Sequence, residues 1–338
     1  MAEIAHPATL TPMRTRTLPT GQTVSAVGLG TWQLGADWGD VSESAAHDVL
    51  DAATDAGVTF FDTADVYGDG RSEQLIGSYL AARPDLDVVV ATKMGRRVEQ
   101  VPEHYTIEAF RGWTDRSRTN LRTDRLDLVQ LHCPPSSVFA DDRVFDALDA
   151  LVDEGRIAAY GVSVEKTSEA LAALRHPGLT SIQIIANAFR LKPFDEVVPR
   201  AAAQGVAIVA RVPLASGLLS GRYTADTTFA ADDHRTFNRH GESFDVGETF
   251  AGVDFEQGVL AAQEFAALVP EGVAPATAAI AWLAQHEGVT TVIPGARNPE
   301  QARTNAAAGS LAALGADFDA AVRDLYDRRF RAAVHDRW

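Results

Sequence analysis

The chain has 338 residues, 46% hydrophobic and 22% charged, which provides enough apolar side chains for a sizeable core and excludes a disordered protein. Its 46 acidic and 30 basic residues give a formal net charge of -16 at pH 7. Without a basic cluster, this charge argues against general binding to nucleic acid or to an anionic membrane. The single cysteine, Cys133, excludes an internal disulfide. No stretch approaches the ~20 apolar residues of a membrane span, so we expect a soluble, cytoplasmic protein.

Before the first barrel strand, the segment RTRTLPTGQTVSAVG predicts a β-hairpin that turns at residues 20 and 21 and closes one end of the structure. From about residue 45, short β-branched runs alternate with Ala- and Leu-rich stretches, a pattern typical of βα units around a parallel sheet. Eight strands are predicted, at residues 27–31, 58–62, 88–93, 126–132, 157–163, 181–187, 206–211 and 290–294. Helices are predicted at 43–56, 72–82, 107–121, 142–154, 194–204 and 276–286.

Eight βα alternations favour a closed (β/α)8 TIM barrel over an open doubly wound sheet. The strands are continuous apolar runs, as expected when both faces of a sheet are covered. We therefore predict a single barrel domain over residues 1–338, with the N-terminal hairpin and a long loop after strand 7. That loop, at 223–254, is polar and without clear period, and a connector of this length should be functional or mobile. The tail at 318–338 is predicted to be helical.

Four polar residues lie where the active site of such a barrel is built, at the carboxyl ends of the strands. Asp62, Lys93 and His132 each end an apolar run, and Tyr67 follows Asp62 in the loop. Each residue alone has an ordinary explanation as a turn, surface or core residue. Together they make a proton-donor set: a lysine ammonium ~4 Å from a phenol stabilises the phenolate, and a carboxylate must pair with that buried ammonium. His132 would then orient a substrate carbonyl.

Five segments accompany these residues in chain order: GLGTW at 28–32, DTADVYG at 62–68, GRIAAYGVS at 155–163, PLASGLLSG at 213–221 and IPGARNPEQARTN at 293–305. With them, nearly the whole chain resembles the aldo-keto reductases. The likeness is closer to bacterial members with an IPGA-type cofactor segment, including inositol-catabolism-type reductases, than to the mammalian aldose reductase group. It implies NADPH-dependent reduction of an aldehyde or ketone without a metal, with Tyr67 as general acid and with Asp62, Lys93 and His132 in support.

The resemblance also assigns the nicotinamide end of a cofactor site. Ser163 and Gln183 would hold the carboxamide, and Val164 stands where most relatives have an asparagine, a loss that Asn187 would partly replace. Arg211 stands where many relatives place a Tyr or Trp against the nicotinamide ring. Its planar guanidinium can stack on that ring, and the alternative interpretation is a rim arginine bound to a carboxylate.

The other end of the cofactor would lie on residues that the resemblance places along three segments. Thr31 ends the first strand and Trp32 follows it, and the pyrophosphate would lie along Leu214, Ser216 and Gly217. A 2'-phosphate would meet the start of the helix after strand 8. There Arg297 supplies a cation, Gly295 and Gln301 replace Lys and Arg of some relatives, and Asn305 would bind the adenine. We expect NADPH as cofactor, with NADH possible but weaker.

Several other residues are assigned no chemistry. Cys133 is interpreted as packing, and Arg96, Arg97, Arg328 and Arg329 as solvated surface pairs. The remaining histidines show no H-E-x-x-H motif or paired Cys/His spacing, so no metal site is expected.

Two alternative functions stay open: a polyol or sugar-alcohol dehydrogenase that works in the reverse direction, and a slow-turnover NADPH-binding sensor similar to channel β-subunits. The partner expected is a small-molecule carbonyl substrate. Its pocket would be lined by Trp32 and Tyr67, with Trp38, Trp113 and Trp338 as further candidates. Oligomeric state and natural substrate are left unassigned.

Overall fold

The structure is a computed structural model that describes residues 11–35, 42–243 and 245–338. All eight predicted barrel strands are present, with bounds within three residues of those predicted. After the hairpin strands β1 (Thr15–Thr17) and β2 (Thr23–Ser25), the barrel strands are β3 (Leu29–Gly30), β4 (Phe60–Asp62), β5 (Val89–Met94), β6 (Leu128–His132), β7 (Tyr160–Val164), β8 (Leu179–Ile185), β9 (Ala207–Arg211) and β10 (Thr291–Val292).

The predicted helices are present as well, and the one predicted at 194–204 is divided into two short helices. The described helices are α1 (Glu43–Asp55), α2 (Arg71–Ala81), α3 (Ile107–Leu121), α4 (Asp142–Asp153), α5 (Thr167–Ala173), α6 (Lys192–Glu196), α7 (Val198–Ala203), α8 (His234–Phe237), α9 (Phe255–Leu268), α10 (Pro275–Gln285), α11 (Pro299–Ala307), α12 (Ala316–Tyr326) and α13 (Ala332–Val334). No helix in these described stretches has the length and apolar character needed to cross a membrane.

The eight barrel strands are all parallel and pair in chain order from β3 to β10. Backbone hydrogen bonds from Gly28 to Val292 at 2.8 Å and from Gly30 to Pro294 at 3.0 Å join the first strand to the last. The sheet is therefore a closed barrel, and the predicted (β/α)8 fold is confirmed.

A cluster of buried apolar side chains from the strands includes two residues of the hairpin. Leu18 and Val24 of the hairpin pack with Phe60, Val89 and Val209 of the strands, and all are buried. The hairpin therefore closes the barrel floor, as predicted. A larger core lies between the strands and the surrounding helices.

The register places the ends of neighbouring strands side by side at the opposite rim. His132 pairs with Ser163, and Ser163 pairs with Gln183. Because parallel strands all end at the same edge, side chains that follow these ends converge on one volume.

The segment at 223–254 lies after the seventh barrel strand, as predicted. Its described part contains α8 and the short turns Val246–Glu248 and Phe250–Gly252. The hydroxyl of Ser216 donates to the Glu248 carbonyl at 3.1 Å and accepts from the Phe250 N–H at 3.0 Å. These bonds attach the second half of the segment to the rim.

Candidate active site

Lys93 and Asp62 form a buried ion pair at the ends of neighbouring strands. The ammonium donates to Asp62 Oδ1 at 2.5 Å, to the Thr63 carbonyl at 2.8 Å and to the Tyr67 hydroxyl at 3.4 Å. Its three N–H groups are thus all used, and Lys93 is 1% exposed. Since Lys93 donates to the phenol oxygen, the phenol must direct its own hydrogen elsewhere.

Asp62 is held on its other oxygen by an amide. Gln183 Nε2 donates to Asp62 Oδ2 at 2.6 Å, and Gln130 Nε2 lies 3.4 Å from the same oxygen. Both oxygens of the carboxylate are therefore engaged, which satisfies the requirement that a buried charge be paired and hydrogen-bonded. The strand register and these bonds keep Lys93 beneath Tyr67.

Tyr67 is positioned by a tight turn that comes after β4 in the chain and hydrogen-bonds to the backbone of β5. The Asp65 N–H donates to the Lys93 carbonyl at 3.1 Å, and the turn at Tyr67–Gly70 begins two residues later. Gly68 has a φ of 57°, and a Cβ at this position would collide with the carbonyl of Gly35. The close approach therefore requires glycine directly after the tyrosine.

Three groups act on the acidity of Tyr67. Burial raises the pKa of Tyr67, the Lys93 ammonium lowers it, and the Asp62 carboxylate raises it, with a net rise above the ordinary value. Lys93 therefore stabilises the phenolate as expected, but burial of the phenolate and the charge of Asp62 outweigh the ammonium. Tyr67 is therefore a neutral phenol around neutral pH, which suits a proton donor.

His132 lies beside Tyr67, with ring centroids 5.9 Å apart and planes at 82°. Burial lowers the pKa of His132 well below its ordinary value, and the cations of Arg96, Lys93 and Arg211 lower it further. The imidazole is therefore neutral and carries a single N–H. Its Nδ1 is buried without a hydrogen-bond partner in the described part of the chain. A neutral ring next to the phenol can bind a carbonyl oxygen without acting as a competing acid.

A cavity of about 730 Å³ opens at this rim, within the range of about 300–1,000 Å³ of ligand sites. Most of the predicted site residues line it: Thr31, Trp32, Asp62, Tyr67, Gln183, Arg211, Leu214, Ser216, Gly217, Gly295, Arg297, Gln301 and Asn305. Lys93 and His132 lie behind its wall in contact with Tyr67, and Ser163 is buried next to His132 and Gln183.

Arg211 is held at the cavity wall by carboxylates. Its guanidinium lies 2.9 Å from Glu165 and 3.6 Å from Glu248, and it donates to the Val164 carbonyl at 3.2 Å. Arg211 is therefore bound to carboxylates, and because it also lines the cavity, its stacking on a nicotinamide ring stays a prediction. These bonds also fix the plane of the guanidinium.

Arg96 joins the same carboxylates and is not a solvated surface residue. It lies 3.3 Å from Glu248 and 3.6 Å from Glu165, with its side chain 21% exposed. That expectation was wrong for Arg96 because both of its partners are far away in the chain. Arg97 lies 2.7 Å from the exposed Asp69, and Arg328 and Arg329 pair with Glu264 near the surface.

Asn187 does not offer the amide that the missing asparagine would supply. Its Nδ2 donates to the Val212 carbonyl at 2.9 Å, and its Oδ1 accepts from the Phe189 N–H at 2.9 Å. The side chain is fully buried. Because both ends of the amide hold backbone, the suggested replacement for the position of Val164 was wrong.

The loop after β9 has an unusual backbone at the cavity. Val212, Ala215, Ser216 and Gly217 all have positive φ values, between 46° and 98°. Such conformations cost of order 1–3 kcal/mol each for non-glycine residues and concentrate at ligand sites. The Ser216 hydroxyl, predicted to meet a pyrophosphate, instead binds the backbone of residues 248 and 250.

The start of α11 forms another part of the wall. Asn298 caps it by accepting from the Gln301 N–H at 2.9 Å, and the Gln301 side chain accepts from the Arg297 N–H at 2.8 Å. Two of the donors expected to meet an anion are therefore already bound. Arg297 and the helix dipole still place positive charge there. Asn305 donates to the Gly295 carbonyl at 3.1 Å.

Gly295 is explained by Gln33, which sequence reasoning missed. A Cβ on Gly295 would collide with the Gln33 amide, so the lysine of some relatives would require the end of the Gln33 side chain to move. The Oε1 of Gln33 is buried at the cavity and has no hydrogen-bond partner in the described residues. It is therefore an acceptor directed at a site without a protein donor.

His234 and Glu248 were also missed, and both line the cavity from the long segment after β9. The His234 ring lies 5.3 Å from that of Trp32, and burial lowers the pKa of His234 to about 4. A polar segment without periodicity gave no signal for either residue. Trp113 packs on Tyr105 and Phe110, Trp338 packs under Arg190, and Trp38 is outside the described residues.

One group of possible metal ligands lies in the described part of the chain: Cys133, Glu165 and Glu248, whose ligand atoms are within 4.8 Å of one another. Arg96 and Arg211 already pair with both carboxylates. Burial raises the pKa of the Cys133 thiol to about 12, so the thiolate that a metal requires is disfavoured. Arg96 and Arg211 thus supply the positive charge that a metal ion would bring to the two carboxylates.

Known proteins share both the sequence pattern and this fold. The model of the aldo/keto reductase family matches residues 26–327. An oxidoreductase of Mycobacterium tuberculosis, named Uncharacterized oxidoreductase Rv2298, is 32% identical over 296 residues, 85% of this chain and 85% of that protein. The solved structure of the glycerol dehydrogenase AKR11B4 from Gluconobacter oxydans is 28% identical, with a TM-score of 0.77 over 93% of this chain and 95% of that chain.

A Klebsiella pneumoniae aldo-keto reductase in complex with NADPH is 24% identical, with a TM-score of 0.69 over 93% of this chain and 95% of that chain, a likeness of fold. The family match, by contrast, spans the strands that carry Asp62, Lys93 and His132 and the turn that carries Tyr67. The chain therefore belongs to the aldo/keto reductase family.

Proposed function

We propose that the protein reduces an aldehyde or ketone to the alcohol with NADPH, and that Tyr67 donates the proton. The observation that carries this proposal is the bond from Lys93 to the Tyr67 hydroxyl, at the end of a cavity and beside a neutral His132. The bond leaves the phenol hydrogen available for a substrate oxygen. Membership of the family supports the reaction class.

The cavity suits a phosphate-bearing cofactor. Arg222, Arg235 and Arg297 line it on a chain whose net charge is -16, and the capped start of α11 lies in the same wall. Arginines and a helix start are the groups that bind phosphate in proteins. The unpartnered Gln33 oxygen adds an acceptor for a donor group of the ligand. NADPH also fits the family, and the Klebsiella relative was solved with it.

Each catalytic side chain has one role in the proposed reaction. A bound reduced nicotinamide supplies the hydride that adds to the carbonyl carbon. His132 donates its N–H to the carbonyl oxygen and orients it, and Tyr67 transfers its proton to that oxygen as the carbon–oxygen double bond becomes single. The Lys93 ammonium stabilises the phenolate that remains until a proton from solvent replaces the one transferred, and Asp62 holds that ammonium in place.

The nicotinamide carboxamide is proposed to lie near Gln183 and Ser163. Because Gln183 Nε2 donates to Asp62, its Oε1 is the atom directed to a carboxamide N–H. Asp62 would thus hold the Gln183 side-chain amide in one orientation. Thr31, Trp32 and Arg211 would border the ring, and Asn305 the adenine.

The test is the loss of reduced-nicotinamide absorbance with purified protein, a reactive aromatic aldehyde, and NADPH or NADH. We expect turnover with NADPH in the ordinary range of about 1–10³ per second and slower turnover with NADH. Tight binding of NADPH with no turnover on a panel of carbonyls would contradict the proposal and indicate a sensor.

Arg297 is expected to select the phosphate of NADPH. Substituting Arg297→Met should raise the Kd of NADPH about 10- to 100-fold, the range of a charged hydrogen bond, because the 2'-phosphate loses its cation. The Kd of NADH should change little, because NADH lacks the 2'-phosphate. Isothermal titration calorimetry with both cofactors measures this, and the matched control is Arg303→Met, on the exposed face of the helix that follows Arg297. An equal rise for both cofactors would remove Arg297 from the phosphate site.

A second candidate is the reverse reaction, oxidation of a polyol or sugar alcohol with NADP+. Glu248, Arg211 and His234 make the cavity near Tyr67 polar, which suits a hydroxylated substrate. The structural neighbour from Gluconobacter is named a glycerol dehydrogenase. Initial rates in both directions, with glycerol and NADP+ and with glyceraldehyde and NADPH, distinguish the two.

A further inference from the structure

Four charged side chains form a group that takes no part in the proposed proton transfer, and we call it the rim cluster: Glu165, Glu248, Arg96 and Arg211. Each arginine contacts each carboxylate, at distances between 2.9 and 3.6 Å. Their side chains are between 11% and 21% exposed. At such burial, charges act over longer distances than they do in water.

The rim cluster lies at the reacting end of the cavity. Arg211 and Glu248 line the cavity together with Tyr67. The charge of Glu248 raises the pKa of Tyr67, and the charges of Arg96 and Arg211 lower the pKa of His132. A ring bound beside these two catalytic residues is therefore subject to the field of the cluster.

Glu248 is brought to the rim by fixed backbone. Ser216 bonds the Glu248 carbonyl and the Phe250 N–H, and the Gly247 N–H donates to Asp245 Oδ1 at 2.7 Å. The described part of the segment thus presents a carboxylate to two arginines of the barrel rim.

We infer that the carboxyl pair of Glu165 and Glu248 sets the relative affinity of the site for oxidised and reduced cofactor. The inference rests on the proposed function. The oxidised nicotinamide ring carries a positive charge and the reduced ring carries none, whereas the phosphates and the adenine are the same in both. Arg96 and Arg211 disfavour the cationic ring, and the carboxyl pair offsets them.

The two carboxyls must be removed together. Burial raises the pKa of Glu165 to about 8, while Arg211 and Arg96 hold the pKa of Glu248 low despite its burial. The pair therefore keeps about one proton near neutral pH. If only Glu248 were replaced, Glu165 would ionise beside Arg211 and restore the charge. The double variant Glu165→Gln/Glu248→Gln preserves the shapes and removes this compensation.

The experiment is calorimetric titration of the whole protein with NADP+ and, separately, with NADPH at pH 7. In the double variant the ratio of the Kd of NADP+ to that of NADPH should rise by about tenfold or more, as expected for one unit charge acting over about 10 Å at an effective dielectric of 20. The matched control is Asp232→Asn/Glu242→Gln, which removes two exposed carboxylates from the same segment. Its ratio should equal that of the wild type.

A second variant, expected to change the Kd ratio in the opposite direction, keeps the test decisive if the double variant does not fold. Arg96→Gln removes a cation and should lower the same ratio. If both dissociation constants change by one factor, or neither changes, the cluster only holds the segment and the inference is overturned. If the wild-type protein binds neither form, the proposed cofactor is overturned and the inference with it.

Discussion

Substituting Tyr67→Phe is expected to lower kcat for carbonyl reduction by about 10²–10⁴-fold, the range of a positioned general acid. The ring remains in contact with His132 and Trp32, whose centroids lie 5.9 and 6.4 Å away. Only the oxygen is lost, and with it the acceptor for one Lys93 N–H. The Kd of NADPH should therefore stay nearly unchanged.

The measurement is single-turnover decay of NADPH absorbance, with cofactor affinity determined separately by calorimetry. Tyr160→Phe is the matched control, because the Tyr160 hydroxyl donates to Asp149 at 2.7 Å and lies at the amino end of β7, away from the site. Tyr160→Phe also removes a phenol hydroxyl, but one away from the site, and it should leave kcat close to that of the wild type. A Tyr67→Phe protein with a retained rate would assign the proton to another donor.

The protonation state of Tyr67 adds a pH expectation. Because burial raises its pKa above the ordinary value of about 10, the phenol stays protonated through the neutral and mildly alkaline range. The neutral state of His132 also persists there, since its pKa is lowered. The rate of carbonyl reduction should thus show no fall between about pH 7 and 9 that comes from either residue.

The positions of the proposed catalytic residues were predictable because each one interrupts a pattern. Asp62 and His132 end apolar strands and Lys93 is the penultimate residue of another, and parallel strands of a barrel bring such ends to one rim. The closing hairpin was also predictable, from a turn between two short alternating runs. These features depend on local sequence and on the rules of the fold.

The rim cluster, by contrast, was not predictable because its contacts do not depend on local sequence. Arg96 and Glu248 are 152 positions apart in the chain, and their contact depends on the path of an irregular segment. Nothing in the local sequence distinguishes these residues from solvated charges. The crowding of Gly295 by Gln33 likewise depends on the meeting of two distant loops. Charge pairs and contacts that involve irregular loops are set by the tertiary structure, so the local sequence carries no signal for them, unlike the Lys93–Asp62 pair at neighbouring strand ends.

Substituting Lys93→Met is expected to lower both stability and activity, for two reasons that can be separated. The substitution leaves the Asp62 carboxylate, which is 3% exposed, without its cation. Breaking a buried pair in this way costs about 3–5 kcal/mol in free energy of unfolding. Urea unfolding at pH 7 measures it. Lys192→Met is the control, because Lys192 lies 3.9 Å from Glu196 on one helix and should cost below about 1 kcal/mol.

The choice of pH 7 for the urea unfolding follows from the direction in which the pKa of Lys93 is shifted. Burial lowers the pKa of Lys93, but the Asp62 carboxylate and the Tyr67 hydroxyl outweigh it, and the net direction is a rise above the ordinary value. A raised pKa contributes stability that is complete below the ordinary lysine pKa of about 10.4 and is lost as the pH rises through the folded value. At pH 7 the whole contribution of the pair is therefore present.

The double variant Asp62→Asn/Lys93→Met separates the charge on Asp62 from the function of Lys93. Removing both charges should recover much of the lost free energy of unfolding, because a neutral amide can still accept from Gln183 and no isolated charge remains. Activity should not recover, since nothing then donates to the Tyr67 oxygen or stabilises its phenolate. If stability and kcat returned together, Lys93 would act only as a counterion for Asp62, and another group would have to hold the phenolate.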